Sequence, residues 1–382
     1  MNEEVLLMGP GPSPVSYRVR QAMARPVLGH LDPRFLALLD ALDDDLRLVF
    51  GSSAKLTFPV SGTGSAAMEA SVTTLCRPGR RVLVLSCGVF GERIAEMVRR
   101  SGADLDLMSF PFGESVDPDA ARARMADHRP DVVAVVQAET STGVLSDVDQ
   151  VAAAARAYGA DLLVDTVTSL GGMPVRMDEW GAAVVYSGSQ KCLGAPPGLG
   201  PITVRDGVLR PDDAPRSWYF DLGLIARYLG SERLYHHTAP VSMIYALAEA
   251  MQTLREEGLP ERFARHRKAS AALRAGLASL ELGSRVAPDR LLPSLSVVTP
   301  PQDLDEAALR QELLLDEGVE IAGGLGAWRG QAWRIGTMGE GARLEPVLRT
   351  LAAIARVLAR HGRSASAREA AAAAQAAWRS TD

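Results

Sequence analysis

Lysine is almost missing from this chain. Of 382 residues 41 are basic, yet only Lys55, Lys191 and Lys268 are lysines and the rest are arginines. Chemistry that needs an amine nucleophile therefore has three candidates. Cysteine is scarce as well: Cys76, Cys87 and Cys192 form an odd set with no C-x-x-C spacing, which suits a reducing compartment. No apolar run reaches the roughly 18 residues that a membrane-spanning helix needs. The start, Met-Asn-Glu-Glu before a short Val-Leu-Leu-Met run, lacks the basic and apolar regions of a secretion signal. Basic charge is not in excess either. A net charge of −5 and a pI near 5.8 argue against a nucleic-acid or membrane-surface partner. The expected location is cytoplasmic.

What the chain does have is a large apolar fraction, 47%, beside 23% charged residues, the balance of a globular protein with a sizeable core. From about residue 55 to 205, short apolar runs alternate with helix-like stretches. The runs are Lys55–Val60, Arg81–Ser86, Asp131–Gln137, Asp161–Asp165, Ala182–Ser187 and Gly200–Val204. Their continuous Val and Leu content predicts strands buried on both faces, hence an α/β fold with a mostly parallel central sheet. Helices are predicted over Ala66–Leu75, Glu92–Ser101 and Val148–Tyr158, the last closed by Gly159. Beyond about residue 258 the texture changes to a smaller α+β domain. It holds helices at Pro260–Leu280, Asp305–Glu317 and Leu344–Arg360, with strands near Ser294–Val298 and Ala332–Gly336. An Ala-rich tail, 363–382, is expected to form a helix facing solvent or a partner.

Open α/β sheets bind ligands beyond the carboxyl ends of their strands. Past those ends stand Ser61-Gly62-Thr63-Gly64-Ser65, Gly88-Val89-Phe90-Gly91, Glu139-Thr140-Ser141-Thr142-Gly143, Asp165, and Ser187-Gly188-Ser189-Gln190-Lys191. A phosphate cradle, an aromatic ring, hydroxyls, a carboxylate and a lysine thus share one edge, which are the needs of pyridoxal phosphate. The Ser61–Ser65 loop lets backbone N–H groups at a helix start point at a phosphate, although a plain glycine turn reads the same way. It is not a Walker A loop, because no Gly-Lys-Ser/Thr follows, nor a dinucleotide fingerprint, since Ala67 stands where the third glycine belongs.

Asp165 ends the apolar run Leu162-Leu163-Val164. A carboxylate buried there needs a cationic partner, and a protonated pyridine nitrogen is one. Lys191 sits among small residues before Gly194-Ala195-Pro196-Pro197-Gly198, which favours close approach of a planar ligand. Lys55 opens a strand, while Lys268 lies among Arg262, Arg265, His266 and Arg267 on an expected solvated helix face. Phe90 reads either as a core aromatic or as a ring-stacking residue. Arg334, inside an apolar strand, reads as a structural ion pair or as a bidentate anchor for a substrate carboxylate.

These segments resemble the alanine–glyoxylate and serine–pyruvate aminotransferases, within the class V, fold-type I pyridoxal-phosphate enzymes. The match runs to about residue 360. It rests on Gly9-Pro10-Gly11-Pro12, Ser61–Ser65, Ser141-Thr142-Gly143-Val144-Leu145, Val164-Asp165, and Ser187–Lys191 followed by Ala195-Pro196-Pro197-Gly198. Tyr235-His236-His237-Thr238 and Gly323-Gly324-Leu325-Gly326 with Arg334-Ile335-Gly336 complete it.

The resemblance implies that Lys191 is the catalytic lysine that holds the cofactor, and that Asp165 pairs with its ring nitrogen. Val167 and Phe90 would flank the ring, and Thr140 would lie near its hydroxyl. Thr63, Gly64, Ser65 and Gln190 would bind the phosphate, joined by Tyr235 and Thr238 from a neighbouring subunit of a homodimer. Arg334 would hold the substrate carboxylate. It also implies an N-terminal segment, 1–15, lining the active site, a large cofactor domain, 16–257, and a small domain, 258–362. Phe90, Ser65 and Thr140 depart from the tryptophan, histidine and serine of the best-known members.

The expected reaction is ping-pong transamination from a small amino acid, alanine or serine, to glyoxylate or pyruvate. The alternatives are a relative of the ureidoglycine–glyoxylate or pyridoxamine–pyruvate type, or a non-catalytic cofactor-binding regulator. Gln190 before the lysine, where a desulfurase carries histidine, argues against cysteine desulfuration.

Overall fold

The computed structural model describes residues 5–209, 217–229 and 232–381. The first four residues of the expected N-terminal segment, and Asp382, lie outside the described residues. The main sheet has seven strands: β1 (Leu56–Ser61), β2 (Arg81–Ser86), β3 (Asp104–Ser109), β4 (Val132–Val136), β5 (Asp161–Asp165), β6 (Val184–Tyr186) and β7 (Leu199–Val204). Their spatial order is β1-β7-β6-β5-β4-β2-β3. Only β7 runs against its neighbours, β1 and β6; the other adjacent pairs are parallel.

Burial explains the sequence pattern. All five residues of β4 are buried, and β6 and β7 are buried throughout, because helices cover both faces. Strand β3 is the exception and went unpredicted. Its Asp-Leu-Asp-Leu alternation is only half-buried, since an edge strand lacks a neighbour on one side. The helix over Val148–Ala157 begins at Asp147, whose side chain accepts a hydrogen bond from Gln150 N at 3.2 Å. Gly159, at φ 70°, supplies the left-handed turn that ends it.

A second core lies beyond the sheet. Leu273, Leu277, Leu309, Leu313, Trp333, Ile335, Leu351 and Ile354 pack together around the strands Leu295–Val298, Ala322–Gly323 and Trp333–Gly336. Met8 enters this core, and Leu6–Leu7 pair in parallel with Val319–Glu320. The N-terminal segment is thereby anchored at one end before it crosses toward the main sheet.

Two expectations need correction. The tail forms the helix Ala367–Ser380, but it docks within its own chain, on the helices Leu259–Ser279 and Leu344–Arg360. Ala370 and Ala374, one helical turn apart, are buried there, so the alanines permit close helix packing. The helix Leu259–Ser279 is not simply solvated either. Arg262 and His266 are buried, and only part of its charged face meets water.

Candidate active site

The carboxyl ends of β1, β2, β4, β5 and β6 surround a cleft of about 220 Å³ that opens to solvent beside the exposed Arg93. Among its lining residues are Thr63, Gly64, Ser65, Phe90, Thr140, Asp165, Val167, Gln190 and Lys191. Nine predicted residues are therefore gathered into one space. Tyr235, Thr238 and Arg334 are not part of that lining.

Asp165 is held rigidly. Its carboxylate accepts hydrogen bonds from Tyr186 Oη at 2.7 Å and from the Val167 N–H at 2.8 Å. The site is buried, and desolvation pushes the Asp165 carboxyl up to about 6 despite those donors. No basic side chain forms an ion pair with Asp165 among the described residues. A carboxylate in this state suits a cationic ligand group.

Lys191 follows β6 in a tight loop. Its Nζ donates to the carbonyl of Pro10, and Ser13 Oγ donates to the Lys191 carbonyl at 2.8 Å. Gly11, at φ +107°, passes so close that a Cβ there would stand 2.5 Å from Lys191 Nζ. Burial first, and the nearby Arg334 charge second, lower the Lys191 ammonium to about 8. The ammonium thus gives up its proton far more readily than an ordinary lysine, although it stays mostly protonated at neutral pH.

Arg262 fixes this loop from the other side. Its guanidinium donates to the Cys192 carbonyl at 2.6 Å and to the Gly171 carbonyl at 2.9 Å, while pairing with Glu257 at 2.8 Å. His266 Nε2 accepts from the Gly339 N–H at 3.2 Å, and burial drives its imidazole down to about 3.

At the opposite end, Thr63 is the N-cap of the helix Gly64–Leu75, and its side chain does not cap that helix. Gly64 sits against Val167 and Gly188, where a Cβ would meet Val167 Cγ2 at 3.2 Å. Gln190 Oε1 is buried without a hydrogen-bond partner. An unpartnered acceptor oxygen on a residue that lines the cavity suits a hydrogen-bond donor of a ligand.

Sequence reasoning passed over three residues. Tyr186 lies opposite Asp165 in the parallel register, a signal visible only once the strands are aligned. Glu139 is fully buried. Its Oε2 accepts from the N–H groups of Phe90 and Gly91 at 3.1 and 3.2 Å, and its Oε1 from Ser141 N and Oγ. It thus caps the helix that carries Phe90, although burial raises its carboxyl. Arg93, the third, lies one turn beyond Phe90 and lines the cavity.

Arg334 is buried beside this cluster. Its Nε donates to the Gly323 carbonyl at 2.7 Å and its Nη1 to the Thr140 carbonyl at 3.3 Å. Desolvation lowers it to about 10. Tyr235 and Thr238 are exposed and joined by a 3.1 Å hydroxyl contact, while the adjacent His237 meets Ser61 Oγ at 2.6 Å.

Residues 17–328 match the family described as aminotransferase class V. The chain is 36% identical to alanine–glyoxylate aminotransferase of Drosophila melanogaster, over 89% of each chain. The crystal structure of alanine–glyoxylate aminotransferase from Nostoc sp. aligns with a TM-score of 0.91 at 42% identity, covering 94% of this chain and 96% of that one. The ureidoglycine–glyoxylate aminotransferase structure from Bacillus subtilis aligns with a TM-score of 0.95 at 35% identity, covering 99% of both. That last alignment reaches into the C-terminal helix, which the family resemblance had left out. With the strand order, the cavity at the strand ends and these similarities in agreement, the chain belongs to the class V aminotransferase family.

Proposed function

We propose that this chain is a pyridoxal-phosphate-dependent transaminase that moves an amino group from alanine or serine to glyoxylate or pyruvate. The observation that carries this reading is one cavity holding both a buried amine and a buried carboxylate, Lys191 and Asp165, beside the start of the helix Gly64–Leu75. Asp165, which has hydrogen-bond donors but, among the described residues, no ion-paired basic side chain, would fit a protonated ring nitrogen. Thr63, Gly64, Ser65 and Gln190, the last through its side-chain N–H donors, would bind the phosphate, and Val167 and Phe90 would flank the ring. Thr140 would face the ring hydroxyl.

When bound, the cofactor supplies the electron sink that stabilises charge left at the substrate α-carbon. The chain's residues supply the rest. Lys191 Nζ, with its ammonium lowered to about 8, accepts the α-proton and returns it. The Pro10 carbonyl and the Arg262 clamp on Cys192 keep that amine aimed and limit its motion. Arg334, with its neighbours Gly323 and Thr140 fixing the guanidinium plane, would hold the substrate carboxylate.

The working unit in this proposal is a cytoplasmic homodimer. Tyr235 and Thr238, exposed and outside their own chain's cavity, would complete the partner's phosphate site. A second reading, ureidoglycine as amino donor, is favoured by the 99% alignment with the Bacillus subtilis enzyme. Both are tested by mixing the cofactor-loaded protein with L-alanine, L-serine or ureidoglycine and following the loss of visible absorption. Conversion by alanine or serine supports the first reading, conversion by ureidoglycine alone the second, and no conversion by any donor removes both.

A further inference from the structure

The phosphate end of the cavity presents a charge problem. Thr63, Gly64, Ser65 and Gln190 are all neutral, yet the group they would receive is a dianion. Backbone N–H groups and the partial positive charge of a helix start offset about half a unit. Tyr235 and Thr238 of a neighbouring chain add hydroxyls and no charge. Lys191 is committed elsewhere, its Nζ turned to Pro10.

Among the described residues, one cation does stand at this end. Arg93 lines the cavity, and its Nη1 donates to Ser65 Oγ at 3.3 Å. The same guanidinium lies over the Phe90 ring, 4.8 Å from ring carbon centroid to guanidinium carbon. Residues 90 and 93 are one turn apart on the helix Val89–Ser101, so the stack is built into the helix geometry. Glu139 caps the start of that helix through Phe90 N and Gly91 N, and so sets the height of both side chains. Arg93 is thereby held by a ring on one side and a hydroxyl on the other, with further N–H donors on its planar fork.

We infer that Arg93 is a phosphate-binding residue of this site, the one cation that, among the described residues lining the cavity's phosphate end, its own chain sets against the cofactor phosphate, with Ser65 as its bridge to the cradle. The inference rests on the cofactor reading above and goes beyond it. Arg93 also pins the Phe90 ring, so it joins the phosphate cradle to the ring-stacking wall. Arginine suits the task because its donors match phosphate oxygens in pairs.

The test is equilibrium binding of two probes, pyridoxal 5′-phosphate and pyridoxal without phosphate, to the wild-type protein, Arg93→Gln and Arg93→Lys. Loss of a charge-assisted contact worth about 1.5–3 kcal/mol corresponds to roughly ten- to hundredfold weaker binding. Arg93→Gln should weaken the phosphorylated probe by that factor and pyridoxal, which meets only the looser Phe90 wall, by clearly less. Arg93→Lys should recover part of the loss. Equal weakening of both probes would assign Arg93 to the Phe90 wall alone and overturn the inference, as would no weakening of either. A wild-type protein that binds neither probe overturns it together with the cofactor reading.

Discussion

Tyr186 and Asp165 face each other across adjacent parallel strands, β6 and β5, and the tyrosine hydroxyl donates to the carboxylate at 2.7 Å. The contact is fully buried, so it holds the carboxylate plane and partly offsets its desolvation. Without that donor the carboxyl should rise above its value of about 6.

The consequence for Tyr186→Phe follows from the sign of that shift. Below its midpoint Asp165 is protonated and cannot pair with a cationic ring nitrogen, so cofactor affinity falls as pH falls. In the wild-type protein the acid limb should centre near pH 6, and in Tyr186→Phe it should move to higher pH. Titrating cofactor binding between pH 5 and 8 checks this, and coincident midpoints would show that Tyr186 does not tune Asp165.

Asp165→Asn separates function from stability. A carboxyl whose folded value exceeds its unfolded one stabilises the fold below the unfolded value, and that contribution is lost as pH rises through about 6. At pH 8 the cofactor-free Asn variant should therefore melt no lower than the wild type. Its turnover should nevertheless fall by orders of magnitude, because Asn cannot keep a ring nitrogen protonated. Near-normal turnover in the Asn variant would leave Asp165 a structural residue.

The strands and the candidate site were legible to different depths. β2 and β5 have the predicted limits because two-sided burial leaves a continuous apolar run between polar ends. β3 left no such trace, since its exposed side tolerates Asp104 and Asp106. Lys191 and Asp165 could be placed because strand ends locate them on one edge. Glu139, Tyr186 and Arg93 could not, because their roles depend on strand register and helix facing rather than on neighbours in sequence. The tail helix was misplaced because an alanine stripe reads alike whether a partner or the same chain covers it.

Glu139→Gln should loosen the start of the helix Val89–Ser101. Gln retains one acceptor oxygen but loses the charge that the Phe90 and Gly91 N–H groups meet. A loss of roughly 1–3 kcal/mol in stability is expected, read by urea unfolding of the cofactor-free protein. Unchanged stability would mean that the cap contributes nothing.

The homodimer proposal predicts complementation. Mixing a Lys191→Ala variant with a Tyr235→Phe variant, under conditions where subunits exchange, should restore activity above that of either alone. One site in such a heterodimer would have an intact lysine and an intact partner tyrosine. Demonstrated exchange without recovery would place Tyr235 outside the partner's site.

Central to the account is Lys191 as the covalent attachment point for the cofactor, chosen from three lysines by its buried setting and its amine lowered to about 8. Borohydride reduction of the cofactor-loaded protein, followed by peptide mapping, tests this most directly. The account predicts the pyridoxyl label on the peptide containing Lys191 and on no other. A label on the peptide of Lys55 or Lys268, or none at all, would contradict it.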